Sequence, residues 1–327
     1  MEQQISLDFR KNKTKKLKGF KFIDLFCGIG GFRISAEELN GNCVFSSEID
    51  ETAIKTYEEN FNEKPSGDIK KIKANSIPDH DVLLAGFPCQ AFSVGGFRKG
   101  FADKRGTLFF EIERILKNKK PKAFLLENVK GLYTHDKGRT FKIIRKSLEN
   151  LGYKIYYKIL NSKNFGVPQN RERIYIVGFL LQKDFFDFPE SIKLRKNLND
   201  IIEIGINSRK ISSIGLRHIK NNLKIYKKKH QVNGLDNLIA TQIRPNDCSF
   251  KNDGIAPCLV AKMGTGGNNV PVIVKQMRFL TARECLRLMG FKDTFKIGNS
   301  SKNFLNIGNS VVVPLVKKIL KNLLYCI

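Results

Sequence analysis

Residues 20–32 read FKFIDLFCGIGGF, and this stretch decides the fold. Its first seven residues, Phe20–Phe26, form an apolar run of the length of a buried strand. Gly28, Gly30 and Gly31 follow at once, and the segment Gly31–Leu39 that comes next reads as a helix. A strand, a glycine turn and a helix in that order begin a doubly wound sheet, and the turn lets a ligand approach the backbone closely. Working outward, Asn42–Ile49 (NCVFSSEI) is a second strand, followed by a helix through Tyr57. Asp81–Gly86 (DVLLAG) and Lys122–Val129 (KAFLLENV) are further strands, and Leu108, Ile112, Ile115 and Leu116 recur between them at helical spacing. Tyr153–Leu160 and Arg173–Phe179 complete a strand-rich end. Alternating strands and helices predict an α/β fold with a doubly wound, mostly parallel sheet. Near-continuous apolar strands fit a sheet covered on both faces.

After about Pro189 the pattern changes. The chain from 190 to 275 is polar and basic, with turn-forming clusters such as RPND and GTGGNN and no long periodic helix. That shift predicts a second, smaller and irregular domain or a large insertion. Regular structure returns with TARECLRLMG and with Val311–Leu324, both read as helices. The expected division is 1–188, 189–276 and 277–327, the last segment returning to the first domain.

Composition narrows the function. The 58 Lys and Arg against 31 Asp and Glu leave a net charge of +27, which favours a polyanion such as nucleic acid. A solvated lysine-rich surface is the competing reading, and it applies equally to the basic stretch from Arg10 to Lys21. The 327 residues hold 41% apolar side chains but no run near the roughly 20 residues of a membrane span, and no signal-peptide core opens the chain. A cytoplasmic protein is expected. Seven cysteines without C-x-x-C spacing and only four histidines argue against a metal site or a disulfide framework.

Five short segments carry possible chemistry. About 20 residues after Gly28 stands Glu48, where an acidic side chain can accept hydrogen bonds from ribose hydroxyls. The glycines do not follow G-x-G-x-x-G, so a nucleoside without phosphates fits better than a dinucleotide, and S-adenosylmethionine is one; a merely tight turn is the alternative. Gly86-Phe87-Pro88-Cys89-Gln90 ends a strand where open α/β sheets bind ligands. Cys89 there is either a nucleophile or a buried structural cysteine. Glu127 in Glu127-Asn128-Val129 ends another strand and shares a cleft with Cys89 if the two strands are neighbours. The arginines of Gln169-Asn170-Arg171-Glu172-Arg173 could hold a base carbonyl or a phosphate, or be surface charge. Gly308-Asn309-Ser310-Val311 precedes the last helix.

Taken together, DLFCGIGGF, GDI, GFPCQAFS, ENV, QNRERIY, RECLRLMGF and GNSVV resemble, in order and rough spacing, the bacterial C5-cytosine DNA methyltransferases of restriction-modification systems. The resemblance spans nearly the whole chain except about 190–275. It implies a methyltransferase that acts on duplex DNA with S-adenosylmethionine and needs no metal. One chain holding every needed part suggests monomeric action, and a restriction-modification role would pair it with a cognate endonuclease acting on the same site, which the sequence itself does not identify. Phe26, Gly28, Gly30, Glu48, Ile49, Asp68, Ile69, Leu108 and Asn309 would line the cofactor pocket. Cys89 would be the nucleophile, Glu127 would hold the N3 and amino edge of cytosine, and Arg173 the O2 edge, with Arg171 a weaker candidate. Ser93, Arg98, Lys99 and Lys104 would lie in a loop closing over the DNA. The 190–275 region would be a target-recognition domain, with Gln242 and Arg244 as candidate base-reading residues. Two positions depart from the pattern. Cys27 stands where alanine or serine is frequent, and Cys258 replaces a threonine common in the recognition domain.

Three other functions compete with this one. A tRNA cytosine-5 methyltransferase would share the catalytic segments, but the long region between RIYIVGF and RECLRLMGF favours DNA. A non-enzymatic DNA-binding module is disfavoured by the intact Cys89, Glu127 and Arg173. A dehydrogenase is disfavoured by the glycine pattern.

Overall fold

The first strand, β1 (Phe20–Leu25), lies inside a six-stranded sheet, with β2 (Gly41–Ser47) on one side and β3 (Val82–Gly86) on the other. The computed structural model describes residues 17–87, 107–181, 185–206, 211–244, 248–264 and 270–327. Beyond β3 come β4 (Ala123–Val129), then β6 (Glu172–Leu180) and, at the edge, β5 (Tyr153–Asn161), giving the order β2-β1-β3-β4-β6-β5. The pairs β1–β2, β1–β3 and β3–β4 are parallel, and β4–β6 is antiparallel. The chain leaves β1 towards β2 and later returns to the opposite side of β1. This makes a switch point at the carboxyl ends of β1 and β3, where sheets of this kind bind ligands.

Helices α1 (Gly31–Glu37) and α2 (Glu51–Phe61) follow β1 and β2. Asp50 caps α2, its carboxylate accepting from the Ala53 N–H at 2.8 Å. The strands alternate between two faces. Ile23, Leu25, Leu83, Ala85, Phe124, Leu126, Ile174 and Ile176 pack in one core with Phe109, Ile112, Ile115 and Leu116 of α3 (Thr107–Lys119). A short turn of helix, α4 (Gly131–Thr134), leads to α5 (Arg139–Asn150), which adds Phe141, Ile144 and Leu148 to that core. Each such side chain contributes roughly 1.5–3 kcal/mol when fully buried.

By internal contacts the chain forms two units. The first comprises 1–160, 172–190 and 313–327, and the second 161–171 and 191–312. The sequence reading differs in placing 277–312 with the returning segment; those residues pack instead within the second unit, as does the short stretch 161–171 that ends β5 and precedes β6. In the second unit, α6 (Ser213–His230), β7 (Ile239–Thr241), β8 (Ser249–Lys251), β9 (Val272–Ile273) and β10 (Arg278–Phe279) are followed by α7 (Ala282–Met289) and α8 (Ser301–Asn309). The four strands form an antiparallel sheet in the order β10-β9-β7-β8. Both α7 and α8 begin with capping boxes, Thr281 with Glu284 and Ser300 with Asn303. The last helix, α9 (Val313–Leu324), belongs to the first unit and packs on α1, where Ser35 Oγ donates to the Val313 carbonyl at 3.2 Å.

The 18-residue helix α6 corrects the expectation of no long periodic helix in this region. Ser212 caps it by accepting from the Gly215 N–H at 3.1 Å. Its apolar stripe is thin, because Ile219 and Leu223 are buried while Ile214 and Ile225 are exposed.

Candidate active site

Register places the first-unit candidates along one sheet edge. Leu25 of β1 pairs with Ala85 of β3, and Gly86 of β3 pairs with Glu127 of β4, so both parallel neighbours end together. The turn with Phe26, Gly28 and Gly30 therefore leaves the same edge as Phe87 and Glu127. Because β6 runs antiparallel, it starts at that edge, with Arg173 opposite Val129.

The turn after β1 is held by its backbone. Phe26, Gly28 and Gly30 have φ of 56°, 55° and 88°. A Cβ at Gly30 would stand 2.3 Å from the Phe61 ring, so glycine is required on grounds of both conformation and space. Cys27 N–H donates to the Ser47 carbonyl at 3.0 Å, tying the turn to the end of β2. Glu48 follows immediately, and its carboxylate accepts the N–H groups of Gly28 at 2.8 Å, Ile49 at 2.7 Å and Asp50 at 2.9 Å. Beside it the Ile49 side chain is 71% exposed, an apolar surface with no core to cover. Ser66 N–H donates to the Ser46 carbonyl at 2.8 Å, which carries the chain past the end of β2 to the half-buried Asp68. An exposed apolar side chain and carboxylates suit an adenosine. The same carboxylates would repel a phosphate. Phe26 is partly buried against the core, and Leu108 is partly exposed at the start of α3. Ile69 differs from its expected role: its side chain is 2% exposed within the core, and its carbonyl accepts from Arg114 Nη2 at 3.0 Å.

Deeper under the turn, Asp24 is fully buried and neither of its oxygens has a hydrogen-bond partner among the described residues. Burial pushes its carboxyl well above the usual carboxylate range, and the nearby Arg33 charge offsets this only in part. Arg33 itself donates to Tyr57 Oη at 2.9 Å, to Glu63 at 2.9 Å and to Glu37 at 2.7 Å. Burial also raises the Cys27 thiol, and pushes the Cys43 thiol up to about 12, so both stay protonated at neutral pH.

At the other end of the edge, Glu127 and Arg173 meet. Arg173 Nε stands 3.1 Å from Glu127 Oε1, with side-chain exposures of 14% and 10%. Lys130 Nζ lies 3.0 Å from Glu172 just outside this pair. Cys89, Ser93, Arg98, Lys99 and Lys104 lie outside the described residues. The chain leading to Cys89 is fixed as far as Phe87 by a residue to which the sequence assigned no role. Buried Asn128 donates from Nδ2 to the Phe87 carbonyl at 2.9 Å, while its Oδ1 accepts the Val129 N–H at 2.8 Å.

In the second unit, Arg171 is 2% exposed. Its Nη1 donates to the Leu259 carbonyl at 2.7 Å, and its Nη2 to those of Gly308 at 3.0 Å and Ser310 at 2.8 Å. These contacts differ from the base or phosphate contact expected of it. Two residues earlier, buried Gln169 accepts the Leu259 N–H at 3.0 Å and donates to the Leu288 carbonyl at 2.9 Å. The spacing Gln169-x-Arg171 was the only sign of this in the sequence. Asn309 is exposed at the end of α8. Gln242, with φ 52°, and Arg244 lie on the segment after β7, where Arg244 is exposed. Among the described residues no group of His, Cys, Asp and Glu could hold a metal ion, and no helix is long and apolar enough to cross a membrane.

The model of the family "C-5 cytosine-specific DNA methylase" matches residues 20–325. The type II methyltransferase M.HaeII of Haemophilus aegyptius is 47% identical over 306 residues, covering 93% of this chain and 92% of its own. M.HhaI of Haemophilus parahaemolyticus is 39% identical over 319 residues, covering 95% and 96%. Among solved structures, the S. pombe Dnmt2 methyltransferase superposes with a TM-score of 0.70 at 21% identity, over 92% of this chain and 97% of that one, a likeness of fold. The chain belongs to the C-5 cytosine-specific DNA methylase family and is a DNA (cytosine-5-)-methyltransferase that uses S-adenosylmethionine.

Proposed function

We propose that this chain methylates carbon 5 of a cytosine swung out of a specific short site in duplex DNA, acting as a monomer in the cytoplasm and protecting that site from a cognate restriction endonuclease. The observation that carries this reading is the alignment of β1, β3, β4 and β6 at one sheet edge, with the Glu127–Arg173 pair beside the strand that leads into Cys89.

Carbon 6 of cytosine is out of reach in a stacked duplex, so the base must leave the stack at a cost of a few kcal/mol. Cys89 then adds as thiolate to carbon 6, forming a C–S bond and making carbon 5 an enamine-like nucleophile. Glu127 holds the N3 and amino edge and, by donating a proton to N3 that it recovers when Cys89 leaves, offsets the negative charge that develops on the ring, and Arg173 holds O2. When bound, S-adenosylmethionine supplies an electrophilic methyl group to carbon 5. The carbon 5 proton then leaves to water or another base, and its electron pair expels Cys89 as thiolate.

Phe26, Gly28 and Gly30 would shape the cofactor pocket and Glu48 would take the ribose hydroxyls. Ile49 would pack on the adenine, Asp68 would accept from its amino group, and Leu108 and Asn309 would close the pocket. Arg98, Lys99 and Lys104 would contact phosphates near Ser93. Gln242 and Arg244 would read bases from the second unit.

Duplex DNA carrying 5-fluorocytosine tests the reading. Fluorine cannot leave carbon 5 as the proton does, so protein and S-adenosylmethionine should yield a lasting adduct that Cys89→Ala abolishes. No adduct on duplexes containing all short site sequences would refute it.

A further inference from the structure

Helix α6 carries six Lys and Arg side chains and no Asp or Glu among its 18 residues. Its inner side is fixed within the second unit: Ile219 and Leu223 are buried, and the Tyr226 ring lies 5.1 Å from that of Phe250 on β8. The outer side is a stripe of Ile214, Arg217, Asn221, Lys224, Ile225 and Lys228, all of them exposed. These positions recur at three or four residues, as one face of a helix does. The stripe is about 21 Å long at a rise of 1.5 Å per residue.

Helix stability does not account for this stripe. Lys220, Lys224 and Lys228 follow one another at i,i+4, where like charges repel. The helix dipole favours cations near the carboxyl end, which suits Lys227, Lys228 and Lys229, but Arg217 and Lys220 lie in the first half of α6. Ile214 and Ile225 are 61% and 67% exposed, so the fold gains little from their apolar area. Duplex DNA matches all three features. A face without acids complements phosphates. Arginine matches guanine O6 and N7, asparagine matches adenine N6 and N7, and an apolar side chain meets the thymine methyl, all in the major groove. That groove, about 12 Å wide, admits one α-helix.

We propose that α6 is a base-reading helix that lies in the major groove of duplex DNA, with Arg217, Asn221 and Ile225 on base edges and Lys224 and Lys228 on phosphates. It sets part of the target sequence, beside any contribution from Gln242 and Arg244. This deepens the reading of the chain as a methyltransferase of a specific duplex site and rests on that reading.

The test is methylation of a duplex library holding cytosine in every short sequence context, by the full chain with S-adenosylmethionine, read by bisulfite sequencing. Wild type gives the target site and the preference at each base pair. Arg217→Ala should relax the preference at one guanine of that site, and Asn221→Ala at one adenine of a different base pair, each by about ten- to hundredfold. Ile225→Ala should relax it at a thymine. Preference at the remaining positions and affinity for S-adenosylhomocysteine should stay as in wild type. Melting temperatures should not fall, because the three residues are exposed and alanine is the best helix former. A uniform fall in methylation across all sequences, or an unchanged preference in Arg217→Ala or in Asn221→Ala, would overturn the proposal while the wild-type target site, and the enzyme reading with it, stands. Methylation of no duplex by wild type would overturn that reading and the proposal with it.

Discussion

Arg173 reaches Glu127 across a diagonal: β4 and β6 pair Val129, not Glu127, with Arg173, and the Nε–Oε1 distance of 3.1 Å spans two residues of register on one face. Each side chain therefore limits the rotamers of the other, and both are held at the edge where β3 ends. Glu127→Gln keeps the shape and removes the charge. It is expected to lower turnover by about 10²–10⁴-fold, with S-adenosylhomocysteine affinity within about twofold of wild type. Arg173→Ala should cost more stability than Glu127→Gln, because it removes the cation beside a largely buried carboxylate, at roughly 3–5 kcal/mol. Single-turnover methyl transfer and thermal unfolding of both variants check this; unchanged turnover in Glu127→Gln would remove Glu127 from the chemistry.

Cysteine reactivity should separate Cys89 from Cys27 and Cys43. Burial holds the Cys27 thiol up, and the Cys43 thiol at about 12, so neither is a thiolate at neutral pH. Cys27→Ala is expected to form the 5-fluorocytosine adduct at a rate within about threefold of wild type, a minor change next to losing a nucleophile. Cys89→Ala should form none. Adduct in Cys89→Ala that is lost in Cys27→Ala would reverse the assignment.

The strands around the candidate site were legible because parallel strands buried on both faces are apolar almost without interruption, as DVLLAG and AFLLENV are. Helix α6 was not, since only Ile219 and Leu223 are buried while Ile214 and Ile225 face solvent. Its one clear sign was Ser212 ahead of it, and serine before a polar stretch is common in loops too. The partnership of Glu127 with Arg173 depends on an antiparallel register that apolar content does not specify. Arg171 was harder still. Its partners are carbonyls 88 and 139 positions away, and a backbone carbonyl is the same whatever residue carries it.

The basic helix α6 offers a test of the electrostatic contribution to DNA binding. Lys224, Lys228 and Lys229 are exposed on it, within a chain of net charge +27. Changing all three to alanine is expected to weaken duplex binding and to flatten the plot of log affinity against log salt by ~0.9 for each phosphate that is no longer neutralised. The fold should be unaffected, since none of the three is buried. Titrations at several salt concentrations decide it. An unchanged slope would mean that this face of α6 does not meet phosphates.

Asp24 gives a prediction for stability against pH. Burial raises its carboxyl well above the usual range; Glu48 and Glu37 act in the same direction, and Arg33 opposes them. A raised folded value means that the folded state binds the proton more tightly than the unfolded chain. The resulting stability is therefore complete below the unfolded carboxyl value of about 3.9 and is lost as pH rises through the folded value. Asn at this position is neutral at every pH and close in size. Asp24→Asn should therefore melt higher than wild type at pH 8, by ~2–4 °C for each kcal/mol recovered, and the advantage should shrink as pH falls towards 5. Thermal unfolding across that range, without added cofactor, checks the sign. Parallel curves for the two proteins would show that Asp24 binds no extra proton on folding, and a lower melting point for Asp24→Asn at pH 8 would show that its charge is compensated in the folded chain.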